Sequence, residues 1–317
     1  MKKMLIALLL FTLLLLLVLM SACSHQRTDD CTLRIVCTSF SEYDWTRNIL
    51  GERIADVELS LLTDNGADMH SYQATADDII KVSECDLLIT VGGESDKWLD
   101  DALKNSRNQN QRVIRLLDLV AACDDSCETE HEHEHEHEGQ DEHIWLSLKN
   151  AMLLCAEIAN ALSQLDLDNS ALYEENAAAY IAKLEALDAR YEATASAASK
   201  KVLLFADRFP FTYMAEDYGL TCIAAFSGCT ADSEASASTV KRLASAIDTH
   251  GLTSVLVLEK SSTDIARTVI LQTESKNQHI LTLNSIQSVT RGEIERGANY
   301  LQMMEKNLSV IAEALEG

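Results

Sequence analysis

The chain has 317 residues, of which 47% are apolar, so it is long and apolar enough to bury the cores of two domains. Asp and Glu outnumber Lys and Arg by 50 to 26, which gives a formal net charge of -24 at pH 7. This balance excludes proteins that neutralise the phosphates of nucleic acids, and it favours a cation as the partner. One Pro and 11 Gly in the whole chain exclude collagen-like and low-complexity classes.

The amino terminus has the pattern of an export signal. Two lysines precede an apolar run over residues 5–18, and the small pair Ser21-Ala22 stands before Cys23. This arrangement resembles a bacterial lipoprotein cleavage box, so we expect residues 1–22 to be a signal peptide and Cys23 to carry a lipid. A permanent transmembrane helix is the alternative at this length. Both interpretations predict an extracytoplasmic protein anchored to the cell membrane.

Short apolar runs alternate with amphipathic segments along the rest of the chain. The runs predicted as strands are Arg34–Ser39, Asp86–Val91, Val113–Leu117, Lys201–Phe205, Thr221–Phe226, Ser254–Leu258 and His279–Leu283. Strands that alternate with helices indicate parallel sheets covered on both faces, with ligands at the carboxyl ends of the strands. The runs fall into two sets, so the sequence predicts an α/β protein with two lobes.

A long helix is predicted between the two sets, over Asn169–Ser199, because this stretch has no Gly or Pro and is rich in Ala, Glu, Leu and Lys. Its predicted face is formed by Leu172, Asn176, Tyr180, Leu184 and Leu187. About 30 residues at 1.5 Å each would extend roughly 45 Å, enough for a rigid connector. An ordinary crossover helix inside one domain is the alternative. We therefore expect an amino-terminal lobe over residues 23–168, a connecting helix over 169–199 and a carboxy-terminal lobe over 200–317.

A His- and Glu-rich segment over residues 128–138 interrupts the predicted first lobe. Its four histidines alternate strictly with glutamates, and they are His131, His133, His135 and His137. Neutral imidazoles offer nitrogen ligands, and interleaved carboxylates attract divalent cations, so the segment predicts an auxiliary metal-capturing loop. It is too polar to fold alone, so its metal binding should be weaker than that of a built site.

The cysteines give little information about function. Cys85 and Cys155 lie in apolar runs and are interpreted as small buried thiols. Cys123 and Cys127 bracket an acidic segment and are candidates for a local disulfide or a soft metal pair. Cys229 follows a predicted second-lobe strand and is a weaker candidate for a zinc ligand.

Two further histidines lie in segments that look like parts of a built site. His70 lies in Gly66-Ala67-Asp68-Met69-His70-Ser71-Tyr72, and His143 lies in Asp141-Glu142-His143-Ile144-Trp145-Leu146. Taken alone, each is either a metal ligand or a hydrogen-bonded structural histidine. Together these segments resemble the zinc- or manganese-carrying solute receptors of ABC importers. In that family, loops of the form Gly-Ala-Asp-Pro-His-x-Tyr and Asp-Pro-His-x-Trp-Leu are found, and zinc members place a His-rich acidic loop before the second one.

The resemblance covers nearly the whole mature chain and implies two α/β lobes joined by one long helix, with one metal in the cleft between them. It implies that His70 and His143 are the ligands of the first lobe. In the second lobe Arg208 stands at a ligand position of the family, and a guanidinium has no lone pair to offer. We therefore expect Glu259 and Asp207 to supply oxygen ligands and Arg208 to support one of those carboxylates. Glu259 as a solvent-exposed strand-end acid is the alternative.

The function predicted from these features is binding without catalysis: a receptor that captures a divalent transition metal and delivers it to the ABC permease in the membrane. Imidazoles with carboxylates suit zinc or manganese, and the alternating His loop favours zinc. The expected receptor is a monomer that binds no nucleic acid. The alternatives are a metal-dependent hydrolase that uses His70, His143 and a carboxylate, and an adhesin-like surface lipoprotein.

Overall fold

Two four-stranded sheets organise the protein in this computed structural model, which describes residues 32–124, 141–226 and 235–316. The first sheet contains β1 (Leu33–Cys37), β2 (Val57–Leu61), β3 (Leu87–Thr90) and β4 (Arg112–Arg115), in the order β2-β1-β3-β4. The second contains β5 (Val202–Phe205), β6 (Thr221–Ala224), β7 (Ser254–Leu258) and β8 (His279–Leu283), in the order β6-β5-β7-β8. The α/β class and the two sets of parallel strands are confirmed.

Helices connect the strands and cover the sheets. They are α1 (Phe40–Leu50), α2 (Ala76–Glu84), α3 (Trp98–Lys104), α4 (Leu116–Asp124), α5 (Leu148–Leu165), α6 (Ser170–Ala197), α7 (Thr212–Asp217), α8 (Ala237–His250), α9 (Asp264–Gln272), α10 (Arg291–Glu295) and α11 (Tyr300–Leu315). Of two short 3₁₀ turns, Met69–Ser71 contains the predicted ligand His70, and Ile144–Leu146 directly follows the predicted ligand His143. From Arg34 onward the described residues belong to one compact unit that includes both sheets.

The inner strands are β1 and β3 in the first sheet and β5 and β7 in the second, and of these β3 and β7 are the most completely buried. Every residue of these two strands is buried, because each strand has a hydrogen-bonded neighbour on both sides and helices on both faces. By contrast, β2 is an edge strand with one buried residue in five. The sequence analysis did not predict β2, since the segment Val-Glu-Leu-Ser-Leu has no continuous apolar run.

The long helix α6 has 28 residues and lies within the predicted range of 169–199. Its buried face consists of Tyr173, Ala177, Tyr180, Leu184, Leu187, Tyr191 and Ala195. In the first turns this face contains Tyr173 and Ala177, so the predicted positions Leu172 and Asn176 were wrong by one residue there. The helix contacts both sequence halves: Asn176 donates to the carbonyl of Ile49 in α1, and the hydroxyl of Tyr191 donates to the carbonyl of Met304 in α11.

Several sequence predictions fall outside the described residues. They are the signal peptide over 1–22, the lipid-carrying Cys23, the loop 128–138 with its four histidines, Cys127 and Cys229. The side chain of Cys123 is also outside the description, so the predicted pairing of Cys123 with Cys127 stays a prediction. Cys85 and Cys155 are buried, as predicted. In the part of the chain that is described, no helix is both long enough and apolar enough to cross a membrane.

Candidate metal centre

His70 lies in the loop after the edge strand β2, in the 3₁₀ turn Met69–Ser71. Asp68 caps this turn, because one of its carboxylate oxygens accepts the backbone N–H of His70 at 3.0 Å. The loop is fixed again on its far side, where Asp78 accepts hydrogen bonds from the hydroxyl of Tyr72 at 2.7 Å and from the backbone of Thr75 at 2.9 Å. These polar contacts position the loop.

His143 immediately precedes the 3₁₀ turn Ile144–Leu146 and is 3% exposed. Asp141 accepts two hydrogen bonds from it through the same oxygen, one from the backbone N–H at 2.9 Å and one from Nδ1 at 2.6 Å. The ring of His143 also packs edge-on against Trp145, with 5.2 Å between the ring centroids. These contacts fix the orientation of the imidazole.

The two histidines are 73 residues apart in sequence, and their Nε2 atoms lie 3.1 Å apart. Each ring turns its Nδ1 away from the other, because Nδ1 of His143 contacts Asp141 and Nδ1 of His70 contacts the hydroxyl of Ser95 at 2.8 Å. An ionised carboxylate only accepts hydrogen bonds, so Nδ1 of His143 carries a proton, and in the neutral imidazole Nε2 then keeps the lone pair. Two nitrogens bound to one tetrahedral zinc, each at about 2.05 Å, lie about 3.3 Å apart. The pair therefore has the spacing of two ligands of one metal ion.

The carboxylates behind the two rings are ionised at neutral pH. Burial raises the pKa of Asp141, but the hydrogen bond and the charge interaction with His143 outweigh it and keep the pKa below its ordinary value. Burial also raises the pKa of Glu142, but hydrogen bonds with His70 and Ser95 outweigh it in the same way. The site therefore has two negative charges directly behind the two imidazoles, which favours a dication.

Asp207 follows β5 and is buried, with both carboxylate oxygens bound to backbone. One oxygen accepts the N–H of Leu258 at 3.0 Å, and the other accepts the N–H of Arg208 at 2.8 Å. Asp207 thus ties the end of β5 to the end of β7, the neighbouring strand in the sheet.

Arg208 reaches the loop of His70 in the first half of the chain. Its Nη1 donates to Asp68 at 3.1 Å, and this is the carboxylate that caps the turn of His70. The side chain of Arg208 thus supports the carboxylate of Asp68, whereas the sequence analysis had considered Glu259 and Asp207 as its partners.

Glu259 follows β7 directly, and its two oxygens accept the N–H of Ser285 at 2.7 Å and the hydroxyl of Ser285 at 2.6 Å. Burial raises the pKa of Glu259, and the hydrogen bonds from Ser285 only partly offset it. The carbonyl of Ser285 accepts the indole N–H of Trp145 at 2.9 Å. Glu259 is thus connected through Ser285 and Trp145 to the segment that carries His143.

The structure brings His70 and His143 together, and it does not place Asp207 or Glu259 in one cluster with them. Within residues 32–124, 141–226 and 235–316, no group of three or more His, Cys, Asp and Glu side chains is arranged to hold a metal ion.

Three residues that support the histidines were missed by the sequence analysis, namely Asp141, Glu142 and Ser95. A carboxylate two residues before His143 was a local signal for Asp141. No local signal points to the pairing of Glu142 with Ser95, because these residues are 47 positions apart in sequence and are brought together beside His70 only by the fold.

Comparison with known proteins identifies relatives over most of the chain. The family model "Zinc-uptake complex component A periplasmic", named ZnuA, matches residues 35–314. The chain is 31% identical over 299 residues to the zinc-binding lipoprotein AdcA of Streptococcus pneumoniae serotype 4, and the match covers 93% of this chain and 58% of AdcA. It is 29% identical over 311 residues to the high-affinity zinc uptake system protein ZnuA of Bacillus subtilis, with 94% of each chain covered.

The fold agrees with these sequence matches. The crystal structure of the Zn(II)-bound ZnuA-like domain of S. pneumoniae AdcA superposes with a TM-score of 0.72 at 27% identity, and the match covers 90% of this chain and 100% of that domain. The chain thus spans 58% of the full AdcA sequence and corresponds to its ZnuA-like domain. With two parallel sheets, a long helix and a family match over residues 35–314, the chain belongs to the ZnuA family.

Proposed function

We propose that this protein is the extracytoplasmic receptor of an ABC importer, which captures zinc and delivers it to a permease in the membrane. The observation that carries the proposal is the 3.1 Å distance between the Nε2 atoms of His70 and His143, with each Nδ1 directed at a supporting group. Two imidazole nitrogens at this distance can bind one tetrahedral cation, for which the expected nitrogen–nitrogen separation is about 3.3 Å. Relatives named for zinc binding and zinc uptake support zinc as that cation.

In this proposal His70 and His143 are the nitrogen ligands, and Glu259 is the first choice for an oxygen ligand from the second half of the chain. Each carboxylate oxygen has a second lone pair, so Glu259 can bind a metal while it accepts the hydrogen bonds from Ser285. These hydrogen bonds also fix the orientation of the Glu259 carboxylate. Asp207 is the second choice, because its two oxygens already tie the end of β5 to the end of β7. Manganese is the alternative cargo.

The remaining parts of the proposal concern the segments around this centre. Residues 1–22 act as a signal peptide and Cys23 carries the lipid that anchors the receptor, in line with the lipoprotein relative. Residues 23–168 and 200–317 are the two lobes, joined by residues 169–199. The histidines at 131, 133, 135 and 137 capture zinc weakly and in addition to the main site. The receptor acts as a monomer and catalyses no reaction.

Metal content and competition titration test the proposal. The protein from Ser24 onward is freed of metal, loaded with zinc and titrated against a chromophoric chelator of known affinity. We expect one tight zinc ion per chain and weaker binding of manganese. A protein that retains no tightly bound zinc would contradict the proposed function.

A further inference from the structure

We infer that Glu142 is the residue that positions His70 for the metal, by fixing the ring orientation and the tautomer of that imidazole. This inference rests on the proposed function, since it assigns a role within the same metal site. Glu142 is buried, with 5% of its surface exposed. A carboxylate is stable at a buried position only when specific partners compensate for its lost hydration.

Those partners are Ser95 and His70. One oxygen of Glu142 accepts the backbone N–H of Ser95 at 2.8 Å. The other accepts the hydroxyl of Ser95 at 2.6 Å and lies 3.3 Å from Nδ1 of His70. Because the hydroxyl proton of Ser95 points to Glu142, the serine oxygen offers its lone pair to Nδ1 of His70, 2.8 Å away. Nδ1 therefore carries the proton, and the lone pair of His70 is on Nε2, which faces His143.

Glu142 acts through His70 and is not itself a ligand of the same ion. The two nitrogens of an imidazole ring point in different directions, and Glu142 contacts Nδ1, whereas the proposed metal ligand is Nε2. Such carboxylate partners raise the basicity of a ligating histidine and hold its orientation. Asp141 performs this role for His143, so two adjacent residues support two different histidines.

Gly93 leaves the space that Glu142 occupies. A Cβ atom at position 93 would lie 2.1 Å from Oε1 of Glu142 and 2.5 Å from its Cγ and Cδ. The backbone of Gly93 is in the extended region, with φ of −88°, so an alanine there meets no conformational barrier of its own. Gly93→Ala should therefore displace the carboxylate while leaving Glu142 chemically intact.

The test compares the full-length protein with its Glu142→Gln, Glu142→Ala and Gly93→Ala variants. Glu157→Gln is the matched control, because it removes a carboxylate from α5 that pairs with Arg112 and contacts neither histidine. Two quantities are measured for each: the zinc affinity by chelator competition, and the tautomer of His70 in the metal-free protein from its ring ¹⁵N chemical shifts. Thermal melting reports whether each variant is folded.

We expect roughly 10-fold to 100-fold weaker zinc binding in the three test variants, as is typical when the partner of a metal ligand is lost. We also expect the Nδ1–H tautomer of His70 to dominate in the parent and in Glu157→Gln, and to become mixed in Glu142→Ala and Gly93→Ala. Unchanged affinity, or weaker affinity with an unchanged tautomer, overturns the positioning role. The tautomer measurement needs no metal, so it tests Glu142 even if the parent protein fails to hold zinc and the proposed function falls.

Discussion

Arg208 and Asp68 form an ion pair between the two halves of the chain, with 3.1 Å between Nη1 and the carboxylate oxygen. Asp68 caps the turn of His70 with its other oxygen, so the guanidinium acts on a proposed metal ligand through one intermediate residue. Both side chains are partly exposed, and such a pair contributes only about 0.2–1 kcal/mol to folding stability. Its main effect should therefore be on the position of the His70 loop.

The first prediction is that Arg208→Ala weakens zinc binding about 10-fold, because Asp68 loses the partner that holds it against the His70 turn. Chelator competition gives the affinity. Arg190→Ala is the control, since Arg190 pairs with Glu305 on the outer surface of α6 and α11. Tighter binding in Arg208→Ala would instead mean that the guanidinium repels the metal and promotes its release.

The second prediction concerns the two histidines themselves. Replacing both His70 and His143 with Ala should abolish stoichiometric tight zinc binding, because only hard oxygen ligands then remain for a borderline metal. Metal analysis after dialysis measures the retained zinc. The control is His250→Ala, at the end of α8, which should keep one tight ion. One-to-one tight zinc in the double variant would falsify the assignment of the site.

The third prediction is that Glu259→Gln weakens zinc binding strongly, since it keeps the shape of the side chain and removes its charge. Burial raises the pKa of Glu259, so this carboxyl takes up a proton at a higher pH than an ordinary glutamate does. Zinc affinity of the parent should therefore fall as the pH is lowered toward that raised pKa, and this part of the pH dependence should be missing in Glu259→Gln. Titrations at several pH values measure it, and equal affinities at neutral pH would remove Glu259 from the site.

The fourth prediction concerns the His-rich segment. Deleting residues 128–138 should reduce the number of weakly bound zinc ions and leave the tight site nearly intact, because an alternating polar tract offers ligands without a built geometry. Equilibrium dialysis at increasing zinc concentration counts both classes of ion. If the tight ion disappears with the segment, its histidines are primary ligands.

The fifth prediction tests a buried acid away from the metal ligands. Burial, together with the nearby Asp96, raises the pKa of Glu42 well above its ordinary value. Below the ordinary glutamate pKa, Glu42 is protonated in both the folded and the unfolded chain, so it does not lower the free energy of unfolding. As the pH rises, the unfolded chain ionises first, so stability is lost until the pH passes the raised pKa.

Glu42→Gln should remove this loss and make the protein more stable than the parent at pH 8, by about 1.4 kcal/mol for each pH unit over which the loss accumulates. Urea unfolding at pH 5 and pH 8 measures the difference, with the exposed Glu52→Gln as control. A parent protein whose stability does not fall relative to Glu42→Gln between these pH values contradicts the prediction.

The sequence by itself determined the class of the fold and the long helix, because burial of a strand or of one helix face leaves a periodic pattern in nearby residues. It missed the edge strand β2, since only one of its five residues is buried. The family resemblance drew attention to His70 and His143 through short motifs in loops.

Only the tertiary structure decided which side chains meet at these loops. The contacts between His70 and His143, between Glu142 and His70, and between Arg208 and Asp68 join residues at least 70 positions apart. Such pairs depend on the order β2-β1-β3-β4 and on how the two sheets are packed, and neither is encoded in local hydrophobic periodicity. Both histidines could be predicted from the sequence. The contact of Glu142 with His70 and the pairing of Arg208 with Asp68 depend on the packing of the whole chain.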